Sequence, residues 1–181
     1  MAKDKALFLD RDGVINVDHG YTHKKEGFDF VDGIFNLCRV AAKKRYKIFV
    51  VTNQAGIGKG YYLESDFFEL TSWMCEQFRL EGINIEKVYF SPYHIDAVIE
   101  KYKEDHLSRK PNPGMLLQAQ EEFNLDMKSS VMVGDKKSDI EAGLAAGVGL
   151  NIHLSLDFER GKPMRKSSIQ LGSLAEVEAL L

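Results

Sequence analysis

The sequence predicts an α/β fold: a three-layer, Rossmann-like parallel sheet with helices on both faces and no separate cap domain. Three observations point to it. Short apolar runs alternate with segments of helical period along the chain, the rhythm of repeated βαβ units. Runs such as Ile48–Val51 are apolar without alternation, as in strands buried on both faces. Four runs stop at polar residues, Asp10, Thr52-Asn53, Ser91 and Gly134-Asp135, and open α/β sheets bind ligands beyond the carboxyl ends of their strands.

Ala6–Asp10 reads as a strand ending in a carboxylate. Ile34–Lys44 is helical, with Ile34, Leu37, Cys38, Ala41 and Ala42 on one face. Tyr46–Thr52 is a β-branched strand, and Glu64–Glu81 a long helix striped by Phe67, Leu70, Met74 and Phe78. Ile85–Phe90 is a strand. Pro113 opens a helix that runs to Phe123. Ser130–Val133 is an apolar strand running into Gly134-Asp135, Ser138–Ala146 a helix closed by Gly147, and Val148–Ile152 a further strand. Ser173 caps a terminal helix to Leu181. Arg11–Gly33 and Pro92–Pro113 are irregular, and neither is long enough for a further domain, so residues 1–181 are expected to form one domain.

With 181 residues, 44% hydrophobic and 28% charged, the chain can bury a sizeable core. A formal net charge of -3 argues against nucleic acid, whose binders carry a basic footprint. Cys38 and Cys75 lie in helical stretches as small buried hydrophobes, with no disulfide or zinc pattern. No run reaches the ~20 apolar residues of a membrane span, and the start shows no secretory signal. A cytoplasmic, monomeric protein without a membrane or nucleic-acid partner is the expectation.

The chemistry begins at Leu9-Asp10-Arg11-Asp12-Gly13, a carboxylate at a strand end with another two residues on. A phosphate monoester repels nucleophiles through its own charge, and its hydrolysis needs up to ~10²¹-fold acceleration. A carboxylate can attack if a divalent ion screens that charge. Asp10, Asp12 and Asp135 are expected to meet at neighbouring strand ends. Two unit charges 4 Å apart repel by about 4 kcal/mol at an effective dielectric of 20, so three carboxylates want a hard cation, Mg²⁺.

Four segments taken in order, Phe8–Gly13, Val50–Gln54, Arg109-Lys110-Pro111 and Gly134-Asp135 with Asp139 downstream, resemble the motifs of the haloacid dehalogenase-like phosphatases. The resemblance implies that Asp10 is the nucleophile and Asp12 the acid and base. Thr52 and Lys110 would hold the phosphoryl oxygens. Mg²⁺ would sit on Asp10, Asp135 and the backbone carbonyl of Asp12, with Asp139 behind them or on the helix surface. Few residues are left between Asp10, Thr52 and Lys110 for a cap domain, so an open site is expected.

Further likeness lies in Asn16–Tyr21, Phe30–Gly33, Thr52–Gly60, Arg109–Met115 and Gly134–Lys136. These resemble the branch of that family holding the heptose bisphosphate phosphatases. The resemblance implies a sugar phosphate substrate that loses its 7-phosphate. Asp18, His19, Gly20 and Tyr21, then Asn53, Gln54 and Ala55, then Arg109 and Lys136 are its implied contacts, with Arg109 on the phosphate that stays behind. One departure stands out. Relatives carry a Cys-x-His…Cys-x-Cys zinc loop, and the matching positions here are Ser91, Tyr93, His106 and Ser108. A structural zinc needs four N or S ligands, so none is expected. Histidinol-phosphate phosphatase is the alternative activity, and a non-catalytic phosphate-binding module the alternative class. Asp12, Lys110 and Asp135 together favour an enzyme.

Overall fold

The computed structural model describes residues 3–155 and 167–181. The stretches 1–2 and 156–166 of the expected single domain lie outside the described residues. The elements in chain order are β1 (Lys5–Leu9), α1 (Ile34–Lys43), β2 (Tyr46–Asn53), α2 (Ala55–Gly58), α3 (Glu64–Leu80) and β3 (Ile85–Ser91). They continue with α4 (Gly114–Phe123), β4 (Val131–Gly134), α5 (Lys137–Ala145), β5 (Leu150–Leu154), β6 (Ser168–Leu171) and α6 (Leu174–Leu180).

The strands make one sheet in the order β3-β2-β1-β4-β5-β6, every pair parallel. From β1 the chain winds one way through β2 and β3. It then returns to the other side of β1 with β4 and continues outward. The direction of winding therefore reverses between β1 and β4, the place where such sheets open a ligand crevice. Leu9 stands level with Val50 on one side and Val133 on the other. Asp10 and Asp135 consequently leave the sheet at its reversal point.

Alternate residues of the strands feed two cores, as side-chain alternation requires. Leu7, Leu9, Ile48, Val50, Val131 and Val133 pack with Leu37, Met74, Phe78 and Val177 from α1, α3 and α6. Ala6, Phe8, Phe49, Val51 and Met132 pack with Leu116, Ala119 and Ala142 from α4 and α5. This is the three-layer arrangement expected from the alternating rhythm, and the long elements begin and end within two residues of their expected bounds.

Three features were not expected. Ala55–Gly58 forms a short helix immediately after β2, and Ser168–Leu171 adds an edge strand beside β5. The segment after β3 is also more ordered than an irregular loop. Ala97 and Tyr102 are buried with Ile57, Tyr62 and Phe67 in a small core of their own. Among the described residues, no helix is long and apolar enough to cross a membrane.

Candidate active site

The ends of β1, β2 and β4, together with the segment before α4, surround a cleft of about 580 Å³ lined by Asp12, Asp18, Tyr21, Asn53, Arg109 and Lys136 among others. A smaller recess of about 40 Å³, walled by Asp10, Lys110, Ser138 and Asp139, adjoins it through shared residues. The Asp10 carboxylate sits at this inner end.

Lys110 organises the recess. It is 2% exposed, and its Nζ lies 2.9 Å from Asp10 Oδ1 and 2.6 Å from Asp139 Oδ1. The same ammonium donates to Val51 O at 2.7 Å. Its backbone is held as firmly, because Asn53 Nδ2 donates to Lys110 O and Asn53 Oδ1 accepts from Lys110 N, at 2.9 and 3.0 Å. The Lys110-Pro111 peptide is cis. Burial lowers the lysine's affinity for its proton, but Asp10 and Asp139 outweigh that and leave its pKa raised.

The carboxylates of Asp10, Asp135 and Asp139 place one oxygen each within 4.8 Å of one another. Burial pushes Asp10 up to about 7 against the lowering effect of Lys110, and Asp139 and Asp135 add to the rise. Asp135 is also raised, chiefly by burial. Its Oδ1 is buried without a hydrogen-bond partner, an unsatisfied acceptor of the kind that a cation satisfies. Oxygen donors alone in a clustered acidic site suit a hard divalent ion such as Mg²⁺.

Of the two places expected for Asp139, behind the metal ligands or on the helix surface, the second does not hold. It is buried, not on the helix surface, and belongs to the acidic cluster. The cause is local. Its Oδ2 accepts from Lys136 N at 2.9 Å and closes the first turn of α5. Gly134 lets that turn approach, since a Cβ there would lie 2.1 Å from Asp139 Cβ.

Asp12 stands at the mouth of the recess. Arg11 Nη2 donates to both of its oxygens at 2.9 Å, Asn16 Nδ2 donates at 3.0 Å and Gln54 Nε2 at 3.2 Å. Its side chain thus turns to these donors and stays outside the three-carboxylate cluster. The Thr52 hydroxyl accepts from Gln54 Nε2 at 2.8 Å, which leaves its own proton free to donate.

The remaining expected contacts divide. Asp18, Gly20, Tyr21, Asn53, Gln54, Ala55, Arg109 and Lys136 line the larger cleft. His19 does not join that lining; its Nε2 lies 2.8 Å from Asp29 Oδ2 at the surface. Gln54 is 2% exposed, and both ends of its amide are used inside the protein. Lys136 Nζ bonds Asp18 Oδ2 at 2.9 Å. Burial raises Asp18, and the Lys136 ammonium and the Gly20 N–H outweigh it, so its pKa falls below the ordinary value. Ser138 lines both cavities and was not expected. Its place in the first turn of α5, three residues after Asp135, was the available signal.

The positions matching the zinc loop come together in space. His106 Nδ1 lies 2.7 Å from Ser108 Oγ, which donates to Ser91 Oγ at 3.0 Å. The Tyr93 ring stacks on the His106 ring at 3.9 Å. Arg109 Nη1 donates to Tyr93 O at 3.1 Å, which ties this cluster to the cleft.

A nucleophile-bearing β1, a lysine from the segment before α4 and an acidic pair after β4, all at the reversal point of a parallel sheet, define a haloacid dehalogenase-like hydrolase. Residues 107–150 match the profile of the HAD-hydrolase-like family. The chain is 55% identical over 150 residues to the D-glycero-alpha-D-manno-heptose-1,7-bisphosphate 7-phosphatase of Burkholderia mallei, covering 83% of this chain and 79% of the relative. It is 44% identical to the D-glycero-beta-D-manno-heptose-1,7-bisphosphate 7-phosphatase of Yersinia pestis, covering 88% and 82%. The fold superposes with a TM-score of 0.83 on a D,D-heptose 1,7-bisphosphate phosphatase from B. bronchiseptica complexed with magnesium and phosphate, at 21% identity and 97% of each chain. The chain belongs to the heptose-1,7-bisphosphate 7-phosphatase family.

Proposed function

We propose that the chain hydrolyses the 7-phosphate of D-glycero-D-manno-heptose 1,7-bisphosphate through an aspartyl-phosphate on Asp10. The observation that carries the reading is the recess itself: a buried carboxylate at a strand end, paired with a buried lysine, opening into a cleft large enough for a phosphorylated sugar. The similarity to the heptose bisphosphate phosphatases supports the sugar, and the higher identity to the alpha-named relative favours the α anomer.

In this reading the Asp10 carboxylate attacks phosphorus and the bond to the sugar oxygen breaks. Asp12 gives its proton to that oxygen, then takes one from the water that releases phosphate from Asp10. Lys110 offsets charge on the phosphoryl oxygens as it develops. Thr52 donates its free hydroxyl proton to one of them, and Asn53 fixes the lysine by clamping its backbone. Asp10, Asp135 and the Asp12 carbonyl would hold Mg²⁺, with Asp139 beside them. The ion would supply the positive charge that lets an anionic nucleophile reach an anionic ester. Arg109 and Lys136, at separate points of the cleft wall, would take the retained phosphate and the transferred one, with Asp18, Gly20 and Tyr21 along the sugar.

No structural zinc is part of the proposal. Two serine hydroxyls, one stacked tyrosine and one imidazole already engaged with Ser108 do not make a four-ligand site. The protein is read as a cytoplasmic monomer.

Steady-state assays with both heptose anomers and histidinol phosphate test the substrate, with Asp12→Ala as the control. The α-heptose bisphosphate should give the highest kcat/KM and Asp12→Ala should lose ~10²–10⁴-fold. A higher kcat/KM for histidinol phosphate would overturn the substrate, and an active Asp12→Ala would overturn the mechanism.

A further inference from the structure

We infer that Gln54 and Tyr62 are positioning residues that hold the acid/base Asp12 in its working orientation, a role resting on the mechanism proposed above. A carboxylate can only accept, so the edge of the Gln54 amide that faces Asp12 must be its NH₂ group. Nε2 lies 3.2 Å from Asp12 Oδ2 and 2.8 Å from Thr52 Oγ1. The opposite edge, Oε1, then needs a donor, and the Tyr62 hydroxyl supplies it at 2.5 Å. The amide cannot turn over without setting its carbonyl against the Asp12 carboxylate, and against the Thr52 oxygen unless that hydroxyl turns. The Asp12 carboxylate selects the amide face, and the Tyr62 hydroxyl anchors the far edge so that the amide stays within reach of Asp12.

Tyr62 is itself held. It is 6% exposed, and its ring stacks on His23 at 5.0 Å with 4° between the planes. Burial pushes its hydroxyl up to about 12, so it remains a donor at any working pH. The approach of the ring depends on Gly56, because a Cβ there would lie 2.2 Å from Tyr62 Cε1. This gives the glycine in Ala55-Gly56-Ile57-Gly58 a purpose that no phosphate cradle explains. A side chain at 56 would push the tyrosine from Gln54, and with it the clamp on Asp12. Arg11 and Asn16 approach the carboxylate as well. Gln54 is the donor that links it to the phosphoryl-facing Thr52.

Tyr62→Phe removes one hydroxyl and keeps the ring. Loss of one hydrogen bond in the chain should lower kcat for heptose bisphosphate by roughly 2- to 10-fold. KM should be unchanged, and the melting temperature should fall by a few degrees because Gln54 Oε1 loses its buried donor. Gln54→Met, of similar volume, should lower kcat by up to ~10²-fold, the scale of a misplaced catalytic group. The discriminating readout is the burst of p-nitrophenol from p-nitrophenyl phosphate, whose leaving group departs without a proton. That burst rate should hold in Tyr62→Phe, and in Gln54→Met, whose amide also touches Thr52, it should fall less than turnover of the sugar ester. Equal losses on the two substrates, no loss on either, or a change confined to KM would overturn the positioning role. An Asp12→Asn variant that still turns over the sugar ester would instead overturn the acid assignment beneath it. Should Tyr62→Phe fail to fold, the same ratio read on Gln54→Met decides.

Discussion

Replacing Lys110 by Met should destabilise the metal-free protein in a pH-dependent way. At an effective dielectric of 20, each ion pair made by Nζ, at 2.9 Å to Asp10 and 2.6 Å to Asp139, attracts by about 6 kcal/mol before the cost of burying the charges. Most of that gain is offset by desolvation, yet removing one partner leaves carboxylates buried and unpaired. Breaking such a buried pair costs about 3–5 kcal/mol. For a chain of this length that is a fall of about 6–20 °C in Tm. The pH dependence has a definite sign. Asp10 stands at about 7 in the fold against an ordinary 3.8, so the folded chain keeps a proton that the unfolded chain releases in between. The stability this proton brings is full below the lower value and lost as pH rises through the upper one. Lys110 lowers Asp10, so without it the carboxyl rises further. The variant's deficit should therefore be small at pH 5.5 and large at pH 8. Thermal melts in a chelator at the two pH values measure it. A deficit equal at both pH values, or none at pH 8, would refute the charge argument.

Asp135→Asn should leave the metal-free Tm nearly unchanged and weaken Mg²⁺ by more than ~10-fold; the rise in Tm with added Mg²⁺ reports it, and an unaltered titration contradicts the assigned ligand. His106→Ala should unlock the Ser91–Ser108 contacts and the Tyr93 stack beneath Arg109. KM for the bisphosphate should then rise several-fold with kcat little changed, and a loss confined to kcat would place the cluster elsewhere in the mechanism.

Much of this was legible in the chain itself. Unbroken apolar strands, polar residues at their ends and the spacing of Asp10, Thr52, Lys110 and Asp135 carry the sheet and its reactive edge, because burial on both faces and the positioning of a strand terminus are properties of a few adjacent residues. β6 is not legible in the chain, since Ser168–Leu171 is an edge strand whose polar–apolar alternation over four residues is too short to stand out. The sequence leaves Asp139 either behind the metal ligands or on a helix surface, because helical spacing says nothing about which neighbour lies above the first turn.

The tertiary structure alone decided which side chains meet. Lys110 reaches Asp10 across 100 positions of sequence, and Tyr62 reaches Asp12 only through Gln54. The loop after β3 owes its order to Ala97 and Tyr102 packing on Ile57 and Phe67. Local pattern sets the period of each element and the character of its ends. The distances that turn carboxylates, a lysine and an amide into one charge-balanced site arise only when the sheet brings separate strand ends together.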